Sequence, residues 1–390
     1  SKLHECKVLM GTATPSIETM LNSDNEVFKY VELNTRFNNV MLPEILCSDL
    51  KISTNKKEMQ GIFSLMLLNE IKEVIERGEQ VILFQNRRGY APKWMCEVCG
   101  WKTMCQSCDV SLTYHKYPNT MNCHYCGFQQ PVPNQCGACG SSSLKMLGFG
   151  TEKIEEEIET LLGDKVRVKR MDLDTTRKKN AYHQIIESFE KREIDILIGT
   201  QMVSKGLDFD HVSLVGILNA DDMLYFPDFR AFERSFQLMA QVSGRAGRKK
   251  KRGKVIVQTY NPDHWILQKL MQHDYQGMYE QELAERKQFN YPPYTRLIKL
   301  TIIHKMVGVV DDASDILVKT LRDKLGSRVL GPEYPSIPRI RNSYHKVITL
   351  KFEKTASPKK IKVYLLSIAA WLKQQKEFKS VRIKIDVDPV

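Results

Sequence analysis

Four cysteine pairs with metal-ligand spacing carry the clearest chemistry in this sequence. Each pair has two residues between its cysteines, and together they hold eight of the ten cysteines in the chain. The pairs are Cys96 and Cys99, Cys105 and Cys108, Cys123 and Cys126, and Cys136 and Cys139. Such a pair places two thiolates on one tight turn, and two such turns complete a tetrahedral zinc site. The sequence therefore predicts two structural zinc ions.

Spacing along the chain indicates which pairs share an ion. Fourteen residues separate Cys108 from Cys123, close to the usual zinc-ribbon spacing, whereas only five separate Cys99 from Cys105. We therefore predict a nested arrangement in which the outer pairs form one site and the inner pairs form the other. The predicted sites are Cys96, Cys99, Cys136 and Cys139, and Cys105, Cys108, Cys123 and Cys126. A crossed arrangement, with the first pair joined to the third, stays open. Disulfides or inert buried thiols are the alternative to metal, although no signal peptide indicates an oxidising compartment.

Two arginines at the end of a helix, predicted over about 230–243, could bind phosphate. Arg245 and Arg248 leave one turn that contains two glycines, and Gln241 precedes them on the helix. Guanidinium groups match phosphate oxygens and can neutralise the charge that develops during phosphoryl transfer. The alternative is a solvated basic turn that continues into Lys249–Arg252.

Polar residues also follow two predicted strands, Val81–Phe84 and Ile194–Ile198. Open α/β sheets bind ligands beyond the carboxyl ends of their strands. Arg87 follows the first strand. The second strand is followed by Thr200, Lys205 and Asp208. Thr200 and Lys205 could hold a phosphate, and Asp208 could order an arginine, a ribose hydroxyl or a metal-bound water. An ordinary loop is the alternative at each place.

The elements that position these residues alternate between strand and helix. This order predicts an α/β fold with a parallel sheet covered on both faces. The sequence further predicts a strand over residues 8–14 and irregular structure over 17–45. The cysteine-rich stretch interrupts the alternation, and a small α+β domain follows Lys287.

Charge is distributed unevenly along the chain. The net charge is +12, and residues 287–390 hold 21 Lys and Arg against 9 Asp and Glu, while the charges of the remaining residues cancel. This excess predicts a polyanion-binding domain, with a solvated basic face as the alternative. No apolar run is long enough to span a bilayer, so we expect no membrane partner.

Four stretches resemble, in order and spacing, motifs III to VI of superfamily 2 helicases. They are residues 8–16, 83–90, 196–208 and 241–248. Zinc-spaced cysteines inserted after motif IV are similar to those of the replication-restart helicases of the PriA family. The Pro292-Pro293 junction and the closing Asp386–Pro389 also match that family, so the resemblance covers essentially all 390 residues.

The resemblance implies an ATP-dependent DNA helicase that unwinds DNA 3′ to 5′, restarts stalled forks and assembles the primosome. By motif position, Arg245 and Arg248 resemble arginines that reach the γ-phosphate across a cleft between two RecA-like lobes. Gln241 and Asp208 resemble ATP-binding residues that support them. The residues that correspond to DNA contacts are Thr200, Lys205 and Arg87.

Cofactors and partners follow from the same resemblance. It implies two Zn²⁺ ions in this chain, and ATP and Mg²⁺ in a full-length protein. The implied partners are DNA with forks or single-strand/duplex junctions, primosome proteins and single-stranded DNA-binding protein, in the bacterial cytoplasm. It also implies three domains. These are the end of helicase lobe 1 (1–40), lobe 2 with a zinc-binding module inserted at 95–145 (41–286), and a basic DNA-binding domain (287–390).

One departure from the family pattern affects activity. The 390 residues contain no G-x-x-x-x-G-K-[ST] phosphate loop and no Asp-Glu-x-His box. Phosphoryl transfer needs that loop and its magnesium ligands, so we expect this chain to be a fragment that is inactive alone. A non-enzymatic zinc-ribbon module that binds nucleic acid or protein is the competing hypothesis. A chromatin-type translocase is a second rival, but it would not need the cysteine insertion.

Overall fold

The structure is a computed structural model that describes residues 6–389 apart from short gaps. The gaps are residues 28, 34, 36–39, 87–92, 97, 100, 116–118, 124, 148–149, 173–174, 177–179, 205–208 and 248–251. Arg87, Lys205, Asp208 and Arg248 therefore lie outside the described residues. Among the helices that are described, none is both long enough and apolar enough to cross a membrane.

The α-helices, numbered in chain order, are α1 (Ile17–Asp24), α2 (Leu50–Asn55), α3 (Leu65–Glu76), α4 (Thr151–Leu162), α5 (Ala181–Glu190), α6 (Asp221–Leu224), α7 (Ala231–Ser243), α8 (Trp265–Met271), α9 (Tyr275–Gln288), α10 (Val307–Leu325) and α11 (Pro358–Gln374). The strands are β1 (Glu44–Asp49), β2 (Met59–Gln60), β3 (Phe63–Ser64), β4 (Gln80–Phe84), β5 (Lys93–Cys96), β6 (Thr113–His115), β7 (Thr120–Asn122), β8 (Gln129–Pro131), β9 (Leu144–Leu147), β10 (Val168–Met171), β11 (Ile196–Gly199), β12 (Val212–Ile217), β13 (Lys254–Thr259), β14 (Thr295–His304), β15 (Val329–Glu333), β16 (Arg339–Ile340), β17 (Ser343–Glu353) and β18 (Arg382–Val387).

The first of two units, residues 1–90 and 149–283, is built on a six-stranded parallel sheet. Its strand order is β1-β13-β12-β4-β11-β10, and every neighbouring pair runs parallel. Strand β4 lies inside the sheet, and all five of its residues are buried. A strand buried on both faces must be apolar at successive positions, which explains the run Val81–Phe84.

Helices cover both faces of this sheet. Val81 and Leu83 pack with residues of α3 and α4, whereas Ile82 and Phe84 pack with residues of α5, α7 and α8. Successive side chains of a strand point to opposite faces, so β4 contributes to both cores. The predicted α/β fold with a parallel sheet is confirmed.

The second unit combines residues 91–148, which contain the cysteines, with residues 284–390. Residues 284–390 form an antiparallel sheet of order β15-β17-β14-β18, with β16 paired to β17. Apolar residues of α10 and α11 share one core with those of β14 and β17. Within the cysteine-rich module, β5 pairs with β9, and β6, β7 and β8 form a small antiparallel sheet.

Two predictions for the N-terminal stretch were wrong. Residues 8–14 form no strand, and Leu9 is 98% exposed, because no described strand pairs with them. Residues 17–45 are not irregular throughout, since they contain α1 and the beginning of β1. The Ser16 hydroxyl accepts a hydrogen bond from Thr19 N at 3.1 Å and caps α1, which buries Ile17 in the core.

Gln258 provides a test of how the sheet is held together. This fully buried side chain of β13 accepts a hydrogen bond from Ser64 N (2.8 Å) and donates to Ile62 O (3.0 Å) and Leu218 O (3.2 Å). We predict that Gln258→Leu lowers the free energy of unfolding by about 3 kcal/mol or more, because each buried polar group left unpaired costs about 1–3 kcal/mol. Urea denaturation measures this change.

The matched control is Gln276→Leu. Gln276 is exposed on α9, and its Nε2 donates to Glu280 Oε1 one turn away at 2.8 Å. We expect a change of less than about 0.5 kcal/mol in this variant. Equal urea midpoints for the two variants would contradict a structural role for Gln258.

Candidate metal centres and candidate nucleotide site

The outer cysteine cluster comprises Cys96, Cys99, Cys136 and Cys139. All four Sγ atoms lie within 4.8 Å of one another. Sγ separations are 3.6 Å between Cys96 and Cys139 and 3.5 Å between Cys99 and Cys136. Gly140 follows the last cysteine with φ of +73°, a conformation that glycine adopts without strain.

The inner cysteine cluster comprises Cys105, Cys108, Cys123 and Cys126, and its Sγ atoms also lie within 4.8 Å of one another. Cys105 and Cys126 Sγ are 3.5 Å apart. Gly127 has φ of +80° and donates its N–H to Cys123 O at 2.9 Å, which closes the second turn.

Both donor sets fit a tetrahedral metal ion. Zinc–sulfur bonds of about 2.3 Å place tetrahedral sulfurs about 3.8 Å apart, close to the separations found. Backbone N–H groups also point at sulfur, as a thiolate requires. These contacts are Ser107 N to Cys105 (3.4 Å), Phe128 N to Cys126 (3.4 Å) and Ala138 N to Cys136 (3.3 Å). Burial raises the pKa of Cys105 to about 12, and a cation bound to its sulfur would favour the thiolate form.

This grouping confirms the nested arrangement and makes the crossed one wrong. The sulfurs are not disulfide-bonded, because their separations far exceed the S–S bond length of about 2.05 Å. Cys6 is exposed and Cys47 is half-buried in β1, and neither belongs to a cluster. The inner cluster is the more enclosed, since Cys99 and Cys139 of the outer cluster are exposed.

A second candidate site begins on one face of α7, where three polar side chains bind residues 14–17. Glu233 Oε1 accepts a hydrogen bond from Ile17 N at 2.9 Å. Gln237 Nε2 donates to Pro15 O at 2.9 Å. Gln241 Nε2 donates to Thr14 Oγ1 at 3.2 Å. A spacing of four residues puts all three side chains on the same helix face.

Arg245 follows the end of α7 and reaches the loop after β11. Its Nη2 donates to Ser204 O at 2.6 Å. Thr200 is buried at the start of the same loop. Gln201 Nε2 donates to Asn86 Oδ1 at 3.4 Å, which joins the carboxyl ends of β11 and β4. The structure thus brings Gln241, Arg245 and Thr200 to one region of the first unit.

A cavity of about 260 Å³ lies beside this face of α7. Its polar lining includes Asn86, Gln201, Asp222, Arg234 and Gln241. Burial, together with the charge of neighbouring Asp221, raises the pKa of Asp222 to about 6. Met223, Phe226 and Leu238 contribute apolar lining, so the cavity is mixed in character.

Sequence reasoning missed Glu233 and Gln237. Their signal was the four-residue spacing to Gln241 on a helix whose other positions are mostly apolar. Glu233 is only 3% exposed, and a buried carboxylate needs hydrogen-bond partners. No pattern in the sequence shows that residues 14–17 supply one of them.

Three protein-family models match parts of the chain. Residues 142–250 match the helicase conserved C-terminal domain, residues 105–131 match the cysteine-rich region of PriA DNA helicase, and residues 287–390 match the C-terminal domain of primosomal protein N. The part of the chain that supplies β10, β11 and β12 of the parallel sheet therefore contains a helicase C-terminal domain.

Similarity to curated relatives identifies the family within this class of helicase domains. The chain is 39% identical to replication restart protein PriA of Bacillus subtilis, over 99% of this chain and 48% of that protein. It is 38% identical to the Synechocystis protein of the same name, over 100% of this chain and 47% of that protein. The chain belongs to the PriA family of replication restart proteins.

The chain spans about half the length of these relatives. Among solved structures, it is similar to Saccharomyces cerevisiae Dbp5 bound to RNA and ADP BeF3, with 12% identity and a TM-score of 0.34. That match covers 71% of this chain and 53% of the Dbp5 chain.

The cysteine clusters predict a definite metal content. We expect two ions per chain in protein that was never exposed to chelator. Cys105→Ser and Cys136→Ser should each lower the content to about one, because each removes a ligand from a different cluster. Elemental analysis of the purified chain measures this content.

Cys6→Ser is the matched control and should keep both ions, because Cys6 is exposed and lies outside both clusters. A wild-type content of one ion or none would contradict two metal centres. Loss of both ions in either single variant would show that the two clusters are not independent.

Proposed function

We propose that this chain is part of an ATP-dependent DNA helicase that unwinds DNA 3′ to 5′, restarts stalled replication forks and assembles the primosome. The observation that carries the proposal is the polar face of α7. It binds residues 14–17 and leads directly into Arg245. Membership of the PriA family supports the same assignment.

Within this proposal, Arg248 reaches the γ-phosphate and stabilises charge during its transfer. Arg245 holds the loop after β11 through Ser204 O. Gln241 and Asp208 support the ATP site. Thr200, Lys205 and Arg87 contact the DNA strand. ATP binds with Mg²⁺, whose ligands and phosphate loop are not among the 390 residues, so the chain alone should not hydrolyse ATP.

Both metal centres are proposed to hold zinc, which favours four thiolates in a tetrahedron. Their role is structural, because four protein ligands leave no open position for a substrate. We further propose that residues 1–40 form the C-terminal end of lobe 1 and that residues 41–286 form lobe 2, with the zinc-binding module inserted at 95–145. Residues 287–390 are proposed to bind DNA. Primosome proteins and single-stranded DNA-binding protein are the proposed protein partners.

One observation favours a second candidate function. Since no phosphate loop occurs in the 390 residues, the chain could act as a zinc-ribbon module that binds nucleic acid or protein without catalysis. Kinetic measurements on a longer protein that contains the chain separate the two candidates.

In that longer protein, we predict that Arg248→Ala lowers the kcat of DNA-stimulated ATP hydrolysis by about 100-fold or more. An arginine that meets charge developing in the transition state acts mainly on kcat. DNA affinity without nucleotide should change little. Lysine at 248 should restore little activity, because an ammonium group lacks the two-pronged geometry of guanidinium.

Arg252→Ala is the matched control, since it removes a nearby charge whose guanidinium donates to Leu42 O at 2.9 Å. It should leave kcat near the wild-type value. Preserved kcat with weakened DNA binding in Arg248→Ala would instead identify a solvated basic turn and exclude the proposed catalytic role.

DNA binding by the basic C-terminal residues is testable in the intact chain. Lys359, Lys360 and Lys362 are exposed near the N-terminus of α11, where Ser357 caps the helix. Free backbone N–H groups and lysines together suit phosphate. We predict salt-sensitive, sequence-independent binding to duplex DNA, with log K falling by about 0.9 per log unit of salt for each phosphate neutralised.

Replacing those three lysines by glutamine should reduce this slope by up to about 3. The control replaces Lys51, Lys56 and Lys57, which are exposed at α2, and should leave the slope unchanged. Fluorescence anisotropy between about 50 and 200 mM salt measures the affinity for DNA and shows whether these lysines contribute to the slope. Binding that is flat with salt would favour a solvated basic face.

A further inference from the structure

Strands β16 and β17 form a hairpin with a two-residue turn, and this hairpin contacts the inner cysteine cluster. Ile340 pairs with Ser343, and the tip residues Arg341 and Asn342 have φ of +51° and +56°. Positive φ at both central residues defines a type I′ turn. Asparagine tolerates this conformation, whereas arginine adopts it less readily. Contacts outside the hairpin therefore help to hold Arg341.

The hairpin backbone binds the first turn of the inner cluster. Arg341 N donates to Cys108 Sγ at 3.1 Å, and Asn342 N donates to Ser107 O at 2.7 Å. In return, Asp109 N donates to Arg339 O at 2.8 Å. Cys108 is fully buried, so its sulfur lies where a hydrogen bond to a thiolate is strong.

Two guanidinium groups extend the contact to both turns of the cluster. Arg339 Nε donates to Asp109 Oδ1 at 2.8 Å, and its Nη1 donates to Gln106 O at 3.2 Å. Arg341 Nε donates to Tyr125 O at 2.9 Å, between the two cysteines of the second turn. Ile340 packs against the apolar residues around the same cysteines.

These contacts differ from those at the neighbouring thiols. Cys105 and Cys126 accept N–H groups from residues two positions further along their own turns. Cys108 accepts one from a residue 233 positions away. A zinc ion with four thiolates carries a net charge of −2, and the guanidinium of Arg341 offsets part of it, whereas that of Arg339 is paired with Asp109. The hairpin thus supplies a hydrogen-bond donor to the Cys108 sulfur and a positive charge near the cluster.

We propose that the hairpin of residues 339–342 completes the inner metal centre, so that metal binding and docking of the hairpin on the module stabilise each other. The inference rests on the proposed zinc ion at this cluster. Groups that orient metal ligands typically change metal affinity by 10–100-fold when they are removed. Linkage requires the converse effect, in which loss of the ion loosens the hairpin.

The first experiment measures zinc release from the intact chain to an excess of chelator. Arg339→Gln and Asp109→Asn remove one ion pair from opposite sides. Each should accelerate the release of one of the two ions about tenfold or more, and the double variant should be no faster than either single one. Release of the outer ion should stay at its wild-type rate, which shows that the module remains folded.

The matched control is Arg328→Gln, which removes an arginine that precedes β15 and pairs with Glu353 of β17. Both ions should be released from it at wild-type rates. Equal release from Arg328→Gln and Arg339→Gln would overturn the inference, as would accelerated release of both ions. A wild-type chain without an ion at the inner cluster would instead overturn the proposed zinc site itself.

The second experiment measures the converse effect by amide hydrogen exchange. Cys108→Ser removes an inner ligand, and Cys99→Ser removes an outer one. We expect exchange at Asn342 and Asp109, whose N–H groups join hairpin and module, to accelerate about tenfold or more in Cys108→Ser alone. Equal protection in the two variants would overturn the linkage.

Discussion

Four cysteine thiolates can share so small a volume only if their charge is neutralised. Each cluster holds four Sγ atoms within 4.8 Å of one another, and thiolates at that distance repel strongly in a poorly solvated site. A divalent cation, backbone N–H groups and nearby arginines are the available compensation. Metal sites of this kind contribute free energy to folding, so the folding of the module depends on this compensation.

The sequence was most informative where one local rule decides the structure. Spacing between the cysteine pairs favoured the nested grouping that the structure shows, although it left a crossed grouping open, because a chain of fourteen residues can return to form a second turn and one of five cannot do so easily. The apolar run Val81–Phe84 identified an interior strand for a similarly local reason. Both the sheet and the candidate metal sites could therefore be predicted.

Contacts between distant segments could not be predicted. Glu233 is buried because residues 14–17 supply its hydrogen-bond donor, more than 200 positions away. The strand expected over residues 8–14 is absent for a related reason, since apolar residues form a strand only where a neighbouring strand pairs with them. The hydrogen bond from Arg341 N to Cys108 could not be predicted either, because no local signal connects the two residues. A single sequence carries no record of such pairings.

Unequal burial of the two clusters has a chemical consequence. Cys99 and Cys139 are exposed, whereas Cys105, Cys108 and Cys123 are buried. Peroxide reacts with accessible thiolates and converts them first to sulfenic acids, which bind zinc poorly. Oxidative damage should consequently begin at the outer centre, while the centre beneath the hairpin keeps its ion.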